Sequence, residues 1–436
     1  MTKFLFLFLF FILCSSSILA SAVVPVSKTF NIVNRGALLS GIVEFNAEFR
    51  QLRFANYPFR LCFYKPFLAD TYILAIGLGN GGNTRIRWVW AANLNHPVGN
   101  NANLVFNSTG NLALIDTDGR VAWQTSTANK GVVDIKLLPN GNFVLVNKNG
   151  EFVWQSFNHP TNTLLVGQAL IPGSSSTNKL VNGAYSLVLQ GKQLGLFFNP
   201  ISKSSSSNPL NYFNLIDPVL QSSVLKSVTF NIAPDSFGAE SANELGLYTS
   251  PSTRFILAQP KYNSTLSIFR LGADGNAYIY TYFEKSNERD AWEETYATFS
   301  KNGTNEECLM PEKCGSFGLC SNNQCVACPT PKGLTGWNKE CKPSSLPSRG
   351  ASAAKVGYYK LEGVDRFMSA ASTEAEGPMK VDACMKKCSD DCKCAGFFYR
   401  VDSSMCLRTS QFYTLMKLSD DLGSNKLSTV YIKYAK

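Results

Sequence analysis

The chain has 436 residues, of which 45% are hydrophobic, 12% aromatic and 17% charged; this length allows several domains and this apolar content allows packed cores, which excludes a disordered chain. The formal net charge is +10, but the basic residues are scattered without a dense patch. Nucleic acid is therefore excluded as a partner, and acidic polysaccharide, an anionic surface or plain solubility is what the charge fits.

In chain order, Lys3 precedes the apolar run "FLFLFLFFILC", and "ASA" at Ala20 to Ala22 offers small residues for cleavage. Residues 1–22 read as a secretory signal peptide. No later stretch reaches about 18 apolar residues, the length a membrane span needs. The end "STVYIKYAK" has no hydrophobic tail, so no membrane or lipid-linked anchor is expected. The cysteines agree with export. There are thirteen, and twelve remain once Cys14 leaves with the leader, an even number suited to a disulfide framework. Eleven lie between Cys308 and Cys406, and only Cys62 lies elsewhere. Three sequons, at Asn107, Asn263 and Asn302, are candidate N-glycan sites.

An internal repeat follows. "GNLALIDTDGRVAWQT" starts at Gly110 and "GNFVLVNKNGEFVWQS" at Gly141. Each unit is an apolar strand, a turn ending in Gly and a second strand carrying Trp. "DTDG" lacks the further ligands of a calcium loop, and Lys148 replaces an acid in its repeat partner, so no metal is expected. Repeated hairpins cannot bury a face alone. Three sheets around an axis, with Trp90, Trp123 and Trp154 meeting in the middle, solve the burial problem and make these rings structural. Weaker strand alternation continues to about residue 300, with "SKSSSSN" at 202–208 as an exposed loop. The last segment carries one helix, "VDACMKKC", and the strand "CKCAGFFYR".

These stretches resemble a plant architecture. "VWAANLNHPV", the two repeats and the run Trp154 to Leu164, "WQSFNHPTNTL", look like the bulb-type lectin domain of S-locus glycoproteins and S-domain receptor kinases, whose fold is a β-prism. "GAYSLVLQGKQLGLFF" resembles the start of their second lectin-like unit, "CLMPEKCGSFGLCSNNQCVACPTPKG" their EGF-like segment, and "YYKLEGVDRFM" with "ACMKKCSDDCKCAGFFYR" their PAN/apple domain. Without a kinase, the combination resembles the EP1-like secreted glycoproteins of plants. The resemblance implies a mainly β chain of tandem bulb-type lectin β-prism units, a disulfide-rich EGF-like segment and a small α+β PAN/apple domain. The boundaries read as 30–165 and 170–300 for the lectin units, 305–342 for the EGF-like segment, 343–355 for a linker and 356–433 for the PAN/apple domain. The function implied is a non-enzymatic, cofactor-free glycoprotein of the cell wall that binds glycans of the mannose type or glycoproteins.

The mannose motif of the resembled lectins is Gln-x-Asp-x-Asn-x-Val-x-Tyr. Its positions fall on Leu138, Asn140, Asn142, Val144 and Val146, which share one face of a strand. Leu138 cannot bond a hydroxyl, Asn140 lacks the charge of an Asp, and Val146 lacks the Tyr hydroxyl. Each unpaired sugar hydroxyl costs about 1–3 kcal/mol, so this pocket is expected to be lost. The first repeat, from Asn107 to Ile115, keeps only Asn111. "GADGNAYIY" keeps more: Asp274, Asn276 and Tyr280 match, with Gly272 and Tyr278 departing. The live sugar question sits there.

By resemblance the disulfides are Cys308–Cys320, Cys314–Cys325 and Cys328–Cys341. Cys384 and Cys388 lie at i and i+4, on one face of a helix, and Cys392 and Cys394 alternate in an extended stretch. That spacing supports Cys388–Cys394 and Cys384–Cys406, as in the resembled domain. Cys62 and Cys392 are left over, to pair with each other, stay free or link chains. Two histidines, His96 and His159, sit in Asn-His-Pro turns, and no nucleophile elbow, zinc motif or phosphate loop accompanies them. No enzymatic activity is expected.

Overall fold

The computed structural model describes residues 23–80, 85–173, 177–200, 209–216, 224–233, 243–250, 253–261, 266–283, 291–301, 305–344, 356–367, 375–418 and 428–436. The leader, Asn263, Asn302, the 202–208 loop and most of 343–355 lie outside them.

Three antiparallel sheets form the first β-prism. One orders Phe30–Val33, Asn103–Phe106, Leu112–Ile115 and Val121–Gln124; the second Phe152–Gln155, Phe143–Asn147 and Val132–Leu137; the third Glu48–Asn56, Phe59–Lys65, Ile73–Leu78 and Arg87–Ala91. Strand alternation sends Leu104, Leu114, Leu145 and Ile76 into one core. Trp90, Trp123 and Trp154 meet there, one from each sheet, with centroids 5.9, 6.1 and 5.7 Å apart, every pair edge to face. This is the arrangement aromatic quadrupoles favour.

The third sheet is apolar on both faces. Behind it, Cys62, Tyr64, Ile73, Ala75 and Trp88 form a second small core, with the Tyr64 and Trp88 rings stacked at 4.4 Å. Cys62 is fully buried there, and burial pushes its thiol up to about 12. Cys392 is exposed, and both cysteines are free. Because the thiolate is the nucleophile, iodoacetamide at mildly alkaline pH is expected to add once to the native protein, at Cys392. The second adduct, at Cys62, should require denaturant; peptide mapping that finds Cys62 labelled in native protein would contradict its burial.

A second set of three sheets follows: Lys179–Asn182, Tyr185–Gln190, Gln193–Phe198 and Leu210–Asn214; Gln168–Leu170, Leu225–Ile232, Asn243–Thr249 and Arg254–Ala258; and Thr163–Leu165, Ser267–Leu271, Ala277–Tyr282 and Trp292–Ala297. Leu187, Leu196, Phe230, Leu247, Phe269 and Ile279 fill its core. Part of the outer face of its last sheet packs on the first prism, while Tyr278 and Tyr280 at its end stay half-buried. Leu165, Ile268, Tyr282 and Trp292 on that face belong to the core of the first prism. Beside them Arg270 donates to Glu44 and to the Trp88 carbonyl, while Glu44 also accepts from Arg87 at 3.0 Å and from the Trp88 amide at 3.0 Å. The two prisms therefore share a seam closed by rings and by one carboxylate between two guanidinium groups.

The C-terminal region is disulfide-rich. Gly333–Gly336, Gln324–Thr330 and Leu319–Ser321 continue into Leu415–Lys417 and Val364–Arg366, so the two cysteine-rich segments share a five-stranded sheet. Leu319–Ser321 and Leu415–Lys417 pair in parallel. Segments this small bury too little apolar surface alone, and sharing a sheet relieves that. A second sheet orders Val356–Glu362, Ser428–Ala435, Gly396–Arg400 and Met405–Thr409. The helix Val381–Asp390 is tied to this part by Cys384–Cys406 and Cys388–Cys394, and the earlier segment carries Cys308–Cys320, Cys314–Cys325 and Cys328–Cys341. Lys433, buried, donates to the Cys388 and Asp391 carbonyls at the helix end, where a cation suits the dipole. One local expectation fails. Residues 391–394 form a turn, not an extended stretch: the Cys394 amide bonds the Asp391 carbonyl at 3.1 Å and the Lys393 amide the Asp391 carboxylate at 2.8 Å. An Asp side chain stabilises such a turn locally, which spacing of the cysteines does not reveal.

Candidate carbohydrate site

The strand Phe143–Asn147 and the turn before it carry the first motif. Leu138 is half-buried and Asn140 exposed, but Asn142, Val144 and Val146 are buried, at 3, 0 and 4% exposure. Asn142 is spent on the fold. Its amide donates to Gln155 at 2.8 Å, and its carbonyl accepts from the Ser156 hydroxyl and the Phe157 amide. Asn111 does the same in the first repeat, toward Gln124, Thr125 and Thr127. The glycine before Asn142 explains the pairing of letters. Gly141 has φ +82°, and a Cβ there would meet the Phe59 ring at 2.5 Å, so only glycine fits this left-handed turn. Gly-Asn is thus a strand-start clamp. Asn142→Ala leaves buried partners unpaired and is expected to cost about 2 kcal/mol, read by urea denaturation, while Lys148→Ala on the exposed turn stays within about 0.5 kcal/mol. Equal effects of the two would argue against the clamp.

The second motif follows the same rule in part. Gly275 has φ +87°. Asn276 is 3% exposed, donates to the Phe299 carbonyl at 2.8 Å and accepts from the Phe299 amide at 3.0 Å. It closes the hairpin rather than facing solvent. Asp274 is exposed on the turn; its carboxylate accepts from the Asn276 amide at 3.1 Å and from the Tyr278 hydroxyl. Tyr278 and Tyr280 are half-buried neighbours on the same face, with rings 5.5 Å apart. Arg87 of the first prism lies over the Tyr280 ring at 4.2 Å. Among the described residues the Tyr280 hydroxyl has no hydrogen-bond partner.

Charges around this face are mixed, with Arg87 and Arg270 facing Asp274 and Glu294. Burial, then repulsion from Asp274 and Glu307, holds the Glu294 carboxyl above the ordinary carboxylate range. Burial, then the Asp274 contact, raises the Tyr278 hydroxyl, and burial raises that of Tyr280. Both phenols are neutral donors at any physiological pH. The arrangement offers two ring edges, one neutral hydroxyl and one carboxylate at the prism seam, with Gly272 adding no side chain. Sequence reasoning missed Arg87, which comes from a distant strand with no local signal, and Glu294, which stands opposite Tyr280 on the next strand and which pairing those two strands would have found.

The other candidate residues are dispersed. Asn107 is exposed, and its carbonyl accepts from the Thr109 hydroxyl at 2.7 Å. His96 and His159 stay in their turns; the Trp90 indole donates to the His159 carbonyl at 2.9 Å, and the His159 ring stacks on Trp154. Among the described residues, no group of three or more His, Cys, Asp or Glu could hold a metal ion, and no helix is long and apolar enough to cross a membrane.

Comparison with known proteins narrows the reading. The family model "D-mannose binding lectin" matches residues 87–182. EP1-like glycoprotein 4 of Arabidopsis thaliana is 40% identical, over 94% of this chain and 94% of its own. The epidermis-specific secreted glycoprotein EP1 of Daucus carota is 42% identical, over 78% of this chain and 92% of its own. A G-type lectin S-receptor-like serine/threonine-protein kinase, SD2-5 of Arabidopsis thaliana, is 24% identical over 80% of this chain but only 40% of its own. A mainly β fold of two prisms, a lectin-family match across the Trp-bearing strands and near full-length identity together place this chain in the family of EP1-like glycoproteins.

Proposed function

We propose that the protein is a secreted, N-glycosylated, non-enzymatic glycoprotein of the plant cell wall that binds glycans of the mannose type, or glycoproteins carrying them, at Asp274, Tyr278 and Tyr280. Its lectin units, read from the sequence as 30–165 and 170–300, change over before Thr163, since Thr163–Leu165 and Gln168–Leu170 pair in the second set of sheets; an EGF-like segment at 305–342 and a PAN/apple domain at 356–433 follow. One observation carries the site: an exposed carboxylate stands beside two tyrosines, and among the described residues the Tyr280 hydroxyl is uncommitted. Tyrosine ring edges give a sugar apolar contact beside a polar hydroxyl, and carboxylates accept from its hydroxyls as charge-assisted bonds. The face at Leu138 to Val146 takes no part, since Val144 and Val146 are buried. Asn107, exposed and joined to its Thr109, is open to a glycan.

The test is a glycan array with the secreted protein and its Tyr280→Phe variant. Wild type should bind mannose-type glycans, and the variant should bind about fivefold more weakly, the worth of one hydrogen bond. No bound glycan, or unaltered affinity, would remove this site. A second reading is a structural or protein-interaction glycoprotein that has lost sugar binding; the commitment of Asn142 and Asn276 to the fold favours it. Pull-down from wall extracts separates the two, because excess mannose competes only under the first.

A further inference from the structure

A cavity of about 220 Å³ lies where the second prism meets the C-terminal region. Leu210 contributes from the prism side, and Phe367, Phe398, Phe412 and Tyr413 from the other. The four rings are between 2 and 9% exposed. They form two edge-to-face pairs, Phe367–Tyr413 at 5.7 Å and Phe398–Phe412 at 6.0 Å. Arg366 and Arg408 also line the cavity, and among the described residues no acidic side chain does. The Arg408 guanidinium is held in place: its Nε and Nη2 donate to Glu376, at 3.2 and 2.6 Å, and its Nη1 to Asp391 at 3.4 Å. A guanidinium has five N–H groups; three donate in these bonds, so two remain for another acceptor.

We propose that this cavity binds a small aromatic carboxylate. The volume lies below the roughly 300 Å³ at which drug-sized pockets begin, so it holds one ring with a short chain. Ring walls in edge-to-face order favour an aromatic guest over an aliphatic one. A fixed guanidinium with spare donors favours a planar carboxylate over a neutral polar head. Among the described residues the lining adds no acid that would repel an anion; the Glu376 and Asp391 carboxylates that hold Arg408 are not part of it. The site is separate from the seam at Tyr280 and independent of any sugar bound there.

The experiment is ligand-observed NMR titration of the full-length secreted protein with 3-phenylpropanoate, its uncharged amide and nonanoate. The acid should bind saturably at submillimolar concentration, at least tenfold tighter than the amide and tighter than nonanoate. Leu210→Trp fills the cavity and should abolish binding. Ser410→Trp, exposed on the cavity wall, should do the same without touching the core, and thermal unfolding reports whether either variant folds. No saturable binding, equal binding by acid and amide, tighter binding of nonanoate, or undiminished binding by a folded Trp variant would each overturn the proposal.

Discussion

Glu44→Gln is expected to lower stability by about 3–5 kcal/mol, because it leaves two guanidinium groups in the seam without their anion. Arg270 is 6% exposed, and Glu44 is the carboxylate it shares with Arg87. Arg270 also donates to Thr163 at 3.0 Å, so it cannot turn away to water without breaking further bonds. Burial already pulls the Arg87 pKa down, and Glu44 is the largest influence opposing that. Calorimetry should show the prism transition falling by roughly 10 °C, at 2–4 °C per kcal/mol for units of this size. Replacing Glu44, Arg87 and Arg270 together by apolar residues should cost less than Glu44→Gln alone, since no charge is then stranded. A single variant within 1 °C of wild type would mean that water, not Glu44, satisfies the arginines.

Trp154→Ala is the second large effect, at about 3–5 kcal/mol. Its ring touches Trp90, Trp123 and Phe143 edge to face and carries His159 on its own face. Truncation opens a void at the point where all three sheets of the first prism meet, and none of them can move inward alone. Trp123→Ala should cost less, because Trp123 is only partly buried. Urea denaturation followed by near-ultraviolet circular dichroism measures both. An order reversed between the two variants would contradict the threefold core as the main support of this unit.

Much of the architecture is legible in the residues. The 31-residue offset between Gly110 and Gly141 marks equivalent hairpins, and a large ring at the same place in each predicts a shared centre. That centre exists, with Trp90 as its third member. The left-handed glycine and the asparagine after it are also legible, as turn chemistry. Their meaning is less so. The letters that match a sugar motif at Asn142 and Asn276 serve the hairpins instead, because an amide clamps a neighbouring strand with the same groups it would offer to a hydroxyl.

The order of residues alone is enough to set the alternation of the strands, the position of the turns, the split between a ring-packed region and a cysteine-rich one, and the set of residues that share each strand face. Tertiary structure alone decided which faces meet water. Period two assigns Tyr278, Tyr280 and Arg270 to related outward faces, but only the docking of the second prism on the first puts Arg87 over Tyr280 and Glu44 against Arg270. The same holds for the sheet shared between Leu319–Ser321 and Leu415–Lys417, whose parallel pairing joins residues nearly a hundred positions apart. Local pattern records what a strand can bury. What covers it depends on contacts between distant segments, and those follow from the search for the least exposed apolar surface, not from any neighbouring letter.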